Sequence, residues 1–458
     1  MAVQVQTLDE IAASLQGYDP KALSADAVLA FLSRLVTPVT EVVELSLFEA
    51  LGRVLAEDVV SPFDVPPHDN SAMDGYAFDG AQLHAEKPLE LDVVGTALAG
   101  KAWQGSVGPG QCLKIMTGAI MPAGLDTVVP QEFTQATGDG GTRISIPAGL
   151  LTAGDNRRLR GEDLAQGKPA LRQGERLTPA RLGLAASLGL KTLKTWRPLR
   201  VAYFSTGDEI LSLGEAPREG AVYDSNRYTV FGMLKSLGCE VIDMGVVRDD
   251  PALLEAAFTN AATKADAIIT SGGVSVGEAD FTKAMMKKLG DVAFWRIAMR
   301  PGRPMAVGRI PRSRGASFAA GPPQGKTAPS GGSEPHEVGS VGAILFGLPG
   351  NPVAVMVTFL AFVRPALQQM MGMASEKAPL LKARSAEAIR KKPGRTEYQR
   401  GRVWTAADGS LHVKTTGNQG SGVLRSMAEA NGLIVLHHAQ GNVAMGDEVD
   451  VLMFEGAI

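Results

Sequence analysis

Cysteine is nearly absent: Cys112 and Cys239 are the only two in 458 residues. They lie far apart and outside any Cys-x-x-Cys spacing, which excludes a disulfide framework or a cysteine zinc site and points to a reducing compartment. The six histidines are scattered, and His437-His438 form no ligand pattern with neighbouring cysteines or acids. There is no basic tract and the formal net charge is −3, so nucleic acid finds no electrostatic footprint. The amino terminus lacks a basic-then-apolar leader. The longest apolar run towards the C-terminal third, 353–363, is too short to span a bilayer. These absences lead to the expectation of a soluble, cytoplasmic protein that binds neither nucleic acid nor membrane.

What remains is an ordinary globular composition, 45% hydrophobic and 20% charged, over a length suited to about three domains. Residues 1–25 read as a polar lead-in broken by Pro20. A helix follows from Ser24, its natural cap, and 47–54 has a second helix-like pattern. The segment Pro62-Phe63-Asp64-Val65-Pro66-Pro67-His68-Asp69-Asn70-Ser71-Ala72-Met73-Asp74-Gly75-Tyr76-Ala77 is too rich in Pro, Asp and Asn to be anything but loop. It is either a solvated turn or a functional one. Short β-like runs separated by glycines fill 88–147, a small all-β insert. In Asn156-Arg157-Arg158-Leu159-Arg160 the arginines suit an anion or a solvated charge run. Thr178 and Pro179 open a helix through 188.

From Arg200 strands and helices alternate, which means a parallel sheet covered on both faces. Strand carboxyl ends then share one rim, where ligands bind. Thr206-Gly207-Asp208-Glu209, Arg248-Asp249-Asp250, the loop from Ser271 and Leu348-Pro349-Gly350-Asn351-Pro352 all fall there. Beyond 374 the runs 397–404, 411–415, 433–436 and 448–454 are strand-like, with an Asp408-Gly409 turn between the first two. They read as a small β-barrel or sandwich.

The densest signal lies at the third of these loops. Residues 266–270 form a short, apolar, β-branched strand, and a helix runs from Asp280 to 289. Between them Ser271-Gly272-Gly273-Val274-Ser275-Val276-Gly277 carries three glycines and two serines. Glycines let backbone N–H groups point at one place, and the next helix adds its positive end. Ser271 and Ser275 can donate further hydrogen bonds, so the loop suits an oxyanion. It is neither Gly-x-Gly-x-x-Gly nor a Walker loop. Asp280 serves equally as a helix cap or as a holder of metal against a bound phosphate.

Taken in order, Asp69 to Ala77, Ser205-Thr206-Gly207-Asp208-Glu209, Ser271 to Asp280 and Gly347-Leu348-Pro349-Gly350-Asn351-Pro352 resemble the molybdopterin molybdenumtransferase family, the MoeA type also found as the E domain of gephyrin. The resemblance covers nearly the whole chain. It implies a multidomain α/β protein: a MogA-like α/β domain with a parallel-rich sheet (199–374), a β-rich insert domain (61–149), an elongated linker domain (1–60 and 150–198) and a C-terminal small β-barrel (375–458). It implies an enzyme that takes molybdopterin-adenylate and molybdate, hydrolyses the adenylate, releases AMP and leaves molybdenum on the dithiolene, assisted by Mg²⁺. It further implies a homodimer, with the α/β domain of one subunit facing the insert of the other, and an adenylyltransferase as a partner.

Carried over by motif, the catalytic acids are Asp74, Glu209, Asp249 and Asp280. Asp249 and Asp280 are the metal or water-positioning pair, and Glu209 the general base or substrate-orienting group. Asp208, after Gly207, forms the turn. Substrate contacts fall on Thr117, Ser271, Gly272, Gly273, Ser275, Pro349, Gly350 and Asn351. Rival readings are a nucleotide-pyrophosphate hydrolase or adenylyltransferase sharing the α/β module, both without the 69–77 loop and the last domain, or a non-catalytic scaffold. Two features depart from the family. Arg296, Arg300 and Arg303 stand where lysines are usual; they are expected to converge on one anion, Arg296 and Arg300 sharing a strand face, unless they pair with surface acids such as Asp291. Residues 312–342, rich in Gly, Ser, Pro and Ala, read as a disordered insertion that could crowd the rim.

Overall fold

In the computed structural model, residues 6–137, 142–274, 281–312, 342–374 and 378–454 are described. Val42–Ser46 pairs antiparallel with Thr192–Trp196, so the chain leaves and returns along one ladder. Leu55, Leu171, Leu177, Leu188 and Leu193 form a core beside it. The helix Pro179–Ser187 begins as expected, with Thr178 accepting from the Arg181 N–H. Residues 47–54 are turns, not helix. Gly52 takes a φ of +76° and gives its N–H to the Leu177 carbonyl at 2.8 Å, which ends the ladder after one turn.

The amino-terminal residues also differ from expectation. Leu8–Ala13 is helical because Thr7 and Glu10 form a capping box, and Ala25–Leu35 is capped by Ser24 as expected. Leu8, Ile11, Phe31 and Leu35 share an apolar cluster with Trp295, Met305 and Phe346. Their companions are therefore in the α/β domain, not the linker. Buried Arg309 fastens the two together, donating to the carbonyls of Gln6 at 2.5 Å and Leu35 at 2.6 Å.

The insert sheet runs in the order Thr127–Pro130, Gly75–Phe78, Gln111–Ile115, Leu89–Ala97, Arg143–Ile146, Gln135–Thr137. Its apolar clusters draw only on residues 76–151.

The α/β sheet holds the rim. Its strands are β1 (Arg200–Thr206), β2 (Glu240–Val247), β3 (Ala267–Ser271), β4 (Asp291–Arg296), β5 (Pro304–Ile310) and β6 (Ala343–Leu348), in the order β2-β1-β3-β6-β5-β4. Helices α1 (Ser225–Leu237), α2 (Pro251–Lys264), α3 (Phe281–Leu289) and α4 (Pro352–Thr358) cover it. Alternate side chains split between two cores. Val201, Tyr203, Ile269 and Phe346 face α1 and α4, while Ala202, Phe204, Ile268 and Leu345 face α2 and α3. Helix α4 continues through a π segment, Phe359–Val363, into Arg364–Met370. Pro365 lacks the N–H an unbroken α-helix would use, which accounts for the wider turn. This helical run, Pro352–Met370, is long and apolar enough to cross a membrane by composition, yet Val353, Val357, Phe359, Phe362 and Leu367 are core residues here.

The sheet is not wholly parallel: β5 runs against both β6 and β4. The link from β4 to β5 is too short for a crossover helix, so the chain must turn back. This reversal decides where the insertion enters. Ile310 pairs with Ala343, so both ends of 312–342 attach at the amino end of β6, a strand length of about 20 Å from the rim. Its anchors do not crowd the rim, and residues 313–341 themselves lie outside those described. Deleting 313–340 is expected to lower the melting temperature by no more than about 2 °C, because closure cost grows only with the logarithm of loop length. A large drop in differential scanning calorimetry would mean that the segment packs.

Beyond residue 378 Thr396–Thr405, Leu411–Thr415, Leu381–Ser385, Glu448–Met453 and Gly432–Leu436 follow one another around a closed five-stranded barrel, the last pairing back to the first. The sequence reading omits the strand Leu381–Ser385: it is short, and its buried side chains, Ala383 and Ser385, are too small to stand out as an apolar stripe between Lys382 and Arg384.

Candidate active site

Three loops meet above β1, β3 and β6. From β1 the chain goes out to β2 and then crosses to β3 on the other side, so the crevice at the end of β1 is the switch point of the sheet. Packing there is tight. The Gly272 N–H donates to the Leu348 carbonyl at 3.1 Å, and a Cβ on Gly350 would lie 3.9 Å from the Gly272 Cα. Gly272 has a φ of +96°, and a Cβ on it would lie 2.6 Å from the Thr206 carbonyl oxygen. At Gly273, with φ +65°, it would lie 2.4 Å from the Thr282 Cβ. Only glycine fits both positions. Gly272→Ala is expected to cost about 2–3 kcal/mol through strained φ and backbone clash. Urea denaturation checks this, and an unchanged midpoint would show that the loop gives way.

The β2 loop is bound to the β1 loop. Arg248 Nη1 donates to the carbonyls of Asp208 at 2.9 Å and Ile210 at 3.0 Å, and the Asp249 N–H to Asp208 Oδ1 at 3.2 Å. Asp208 thus braces the neighbouring loop as well as its own turn. Asp250 caps α2 through the N–H groups of Ala252 and Leu253. Glu209 and Asp249 are the other acids of the segments 206–209 and 248–250. Glu209 is exposed, and its carboxylate lies over Gly207, 2.5 Å from where a Cβ would stand.

Ser271 is brought to the rim but turned inward. Its hydroxyl meets Tyr203 at 2.7 Å and Ser205 at 3.2 Å, and Tyr203 meets Ser205 at 2.9 Å. All three are buried. Three hydroxyls own three hydrogens, and three mutual bonds use them all. This ring therefore presents lone pairs, not donors, to anything above it. Burial pushes the Tyr203 phenol well above its ordinary value, so it stays protonated. Oxyanion donors must come from the glycine backbone. Ser275 and Asp280 lie outside the described residues.

Asp74 and Thr117, 43 positions apart, are brought together. Asp74 Oδ1 accepts from the Thr117 N–H at 2.6 Å and from its hydroxyl at 2.8 Å. Those bonds, the backbone one foremost, hold the carboxyl below its usual range. Both residues belong to the insert sheet and its turns.

The arginines are arranged otherwise than expected. Arg296 ends β4, but Arg300 lies in Met299–Arg300, which pairs with Thr396 and Glu397 of the barrel. They do not share a strand, so the same-face argument fails: the chain changes sheets between them. Asp291 sits at the other end of β4 and accepts from the Leu8 N–H at 3.3 Å; it is not their partner. All three arginines are exposed at the rim end of the sheet. Arg300 faces Arg400, which burial and then this second cation pull down to about 10.

The barrel supplies what the sequence reading missed. Asn351 makes no capping bond to α4. Its amide instead donates to Ser421 Oγ at 3.1 Å, and the Ser421 carbonyl accepts from the Val353 N–H at 3.1 Å. Arg400 holds this loop by donating to the carbonyls of Asn418 at 3.2 Å and Gly420 at 3.0 Å. The cluster Gly417-Asn418-Gln419-Gly420-Ser421-Gly422 was the available signal. Asp224 and Asn226 were also missed. Asp224 caps α1 through the Arg227 N–H at 3.0 Å, and Asn226 donates to the Gly350 carbonyl at 2.7 Å. An acid three residues before an apolar helical run was their signal.

Cys112 and Cys239 are both buried, and burial pushes each thiol up to about 12, which suits a core residue and not a nucleophile. No cluster of three His, Cys, Asp or Glu occurs among the described residues. The oxygen donors of Glu209 and Asp249 on touching loops do suit a hard cation that shares its coordination with substrate phosphates.

Residues 23–189 match the MoeA N-terminal region (domain I and II), 202–369 the probable molybdopterin binding domain and 382–454 the MoeA C-terminal region (domain IV). Molybdopterin molybdenumtransferase of Haemophilus influenzae is 39% identical over 416 residues, spanning 91% of this chain and 94% of that protein. The protein of the same name from Nostoc is 35% identical, over 90% and 88%. Among solved structures, the molybdopterin biosynthesis MoeA protein from Pyrococcus horikosii superimposes with a TM-score of 0.67 at 27% identity, covering 95% of this chain and 99% of that one.

Proposed function

The chain belongs to the molybdopterin molybdenumtransferase family, an enzyme family of molybdenum cofactor biosynthesis, and from that premise we propose that the rim of its α/β sheet binds molybdopterin-adenylate and molybdate. Water attacks the phosphoanhydride and AMP leaves; the two dithiolene sulfurs then replace oxo oxygen of molybdate, which departs as water with the thiol protons. The observation that carries this reading is the meeting of glycine loops and acid-bearing loops at one switch point. The Gly272 N–H is held by the Leu348 carbonyl, so the backbone N–H of Gly273 is the donor that suits the pyrophosphate. Glu209 is exposed, its carboxylate over Gly207 on the adjoining loop, and serves as general base or substrate-orienting group. Asp249, with Asp280, would hold Mg²⁺, which supplies charge neutralisation at the phosphates when bound. Arg296, Arg300 and Arg303 keep positive charge on the rim side, where a bidentate fork suits an oxyanion.

Asp74 and Thr117 stand on a sheet with its own core. On this reading they complete the site of the other subunit in a homodimer. The substrate's adenylate implies an adenylyltransferase upstream, and two free buried thiols suit the cytoplasm. The test is incubation with molybdopterin-adenylate, molybdate and Mg²⁺, following AMP by chromatography. Release of AMP that depends on molybdate is the expected result. A pyrophosphate hydrolase would release AMP without molybdate, and a scaffold would release none; either outcome removes the reading.

A further inference from the structure

Below the glycine loops, the side of the crevice formed by α1 is lined with acceptors that lack donors. Asp224 is 3% exposed and Asn226 8%. Asp224 uses one carboxylate oxygen as the cap of α1, but Oδ2 has no hydrogen-bond partner among the described residues. Asn226 uses its amide nitrogen on the Gly350 carbonyl, and its Oδ1 likewise has none. The hydroxyl ring of Tyr203, Ser205 and Ser271 lies on the same face of the sheet and offers only lone pairs. Asp224 is close enough to Tyr203 for its charge to be felt there. A carboxylate oxygen and an amide oxygen both demand hydrogens, and buried acceptors are ordinarily satisfied. Phosphate or molybdate, which bring negative oxygens, cannot satisfy them.

We propose that Asp224 and Asn226 bind the donor-bearing edge of the organic substrate, accepting hydrogen bonds from the amino and ring N–H groups of a heterocycle. This rests on the rim being the substrate site. The division of labour follows from the chemistry: the glycine backbone above takes the pyrophosphate, and side-chain acceptors below read the base. The pterin offers an amino group beside a ring N–H, one hydrogen for each oxygen; the adenine of the adenylyl half has no ring N–H and would reach both oxygens only through the two hydrogens of its amino group.

Asp224→Asn separates this role from capping, because Asn is an equally good N-cap while its amide puts a donor where Oδ2 stood. Asn226→Leu removes the second acceptor. Binding would be measured by calorimetry with molybdopterin, with AMP and with inorganic pyrophosphate, alongside melting curves. The expected result is that Asp224→Asn melts with the parent and keeps its pyrophosphate affinity. It should lose at least about tenfold in affinity for molybdopterin or for AMP, whichever half carries the edge, and Asn226→Leu should lose affinity for the same probe. Parent-like affinity of Asp224→Asn for both organic probes would overturn the assignment. So would an equal loss for pyrophosphate, which marks collapse of the crevice. A parent protein that binds none of the three probes would instead refute the rim as the substrate site.

Discussion

Glu209→Gln is expected to slow molybdate-dependent AMP release by about 10²–10⁴-fold, the usual contribution of a positioned proton acceptor, and to leave the melting temperature unchanged. The two halves of this expectation have separate grounds. Glu209 is exposed, and its structural service comes from its backbone, whose carbonyl accepts from the Val222 N–H at 2.9 Å. Glutamine preserves that bond and the shape of the side chain over Gly207. What it removes is the ability to take a proton. Single-turnover kinetics with molybdopterin-adenylate separate the two roles open to this residue. A base variant loses rate with substrate binding intact, whereas an orienting variant loses both. Turnover at the parental rate would take Glu209 out of the chemistry.

Arg197→Met is expected to destabilise the protein by about 3 kcal/mol at neutral pH, because it takes the closest cation from the buried Asp266 carboxylate and leaves it only Arg312 Nη2 at 3.4 Å and the Arg200 N–H at 2.9 Å. Arg197 donates two parallel hydrogen bonds to Asp266, Nη1 to Oδ2 at 2.7 Å and Nη2 to Oδ1 at 2.8 Å. Its Nε holds Glu41 of the linker at 2.7 Å. The side chains of Arg197 and Asp266 are only 13% and 8% exposed. Burial by itself would raise the Asp266 carboxyl; the Arg197 fork and the Arg200 N–H outweigh it and hold the group below its ordinary value. A carboxyl lowered on folding contributes stability above its unfolded value, near 3.9. That contribution is lost as pH falls through the lowered folded value. The parent should therefore lose this increment below about pH 4, and the gap between parent and variant should narrow there. Urea denaturation at pH 7 and at pH 3 tests both statements. A variant within about 1 kcal/mol of the parent at pH 7 would mean that water reaches Asp266.

Much of this protein is written locally in its residues. Ser24, Thr178, Asp250-Pro251 and Gly238 mark helix ends by their own capping chemistry and backbone freedom, and each does so in the fold. The apolar runs at β1, β3 and β6 and the glycines after them are equally local, and together with the ordered motifs they sufficed for the family. The tertiary structure decided whatever depends on a partner distant in sequence. Periodicity says which side chains share a face but not which strand lies alongside, so the reversal of β5 was not legible, and the strand runs beyond 374 left barrel and sandwich open until the family resemblance pointed to the barrel that the fold contains. The same limit hid the Asp74–Thr117 bond, the turning of Ser271 into a hydroxyl ring, the change of sheet between Arg296 and Arg300, and the docking of Ser421 on Asn351. A side chain's chemistry belongs to its residue type, but whether its donors and acceptors remain available for a ligand depends on what folding places within three ångströms of them.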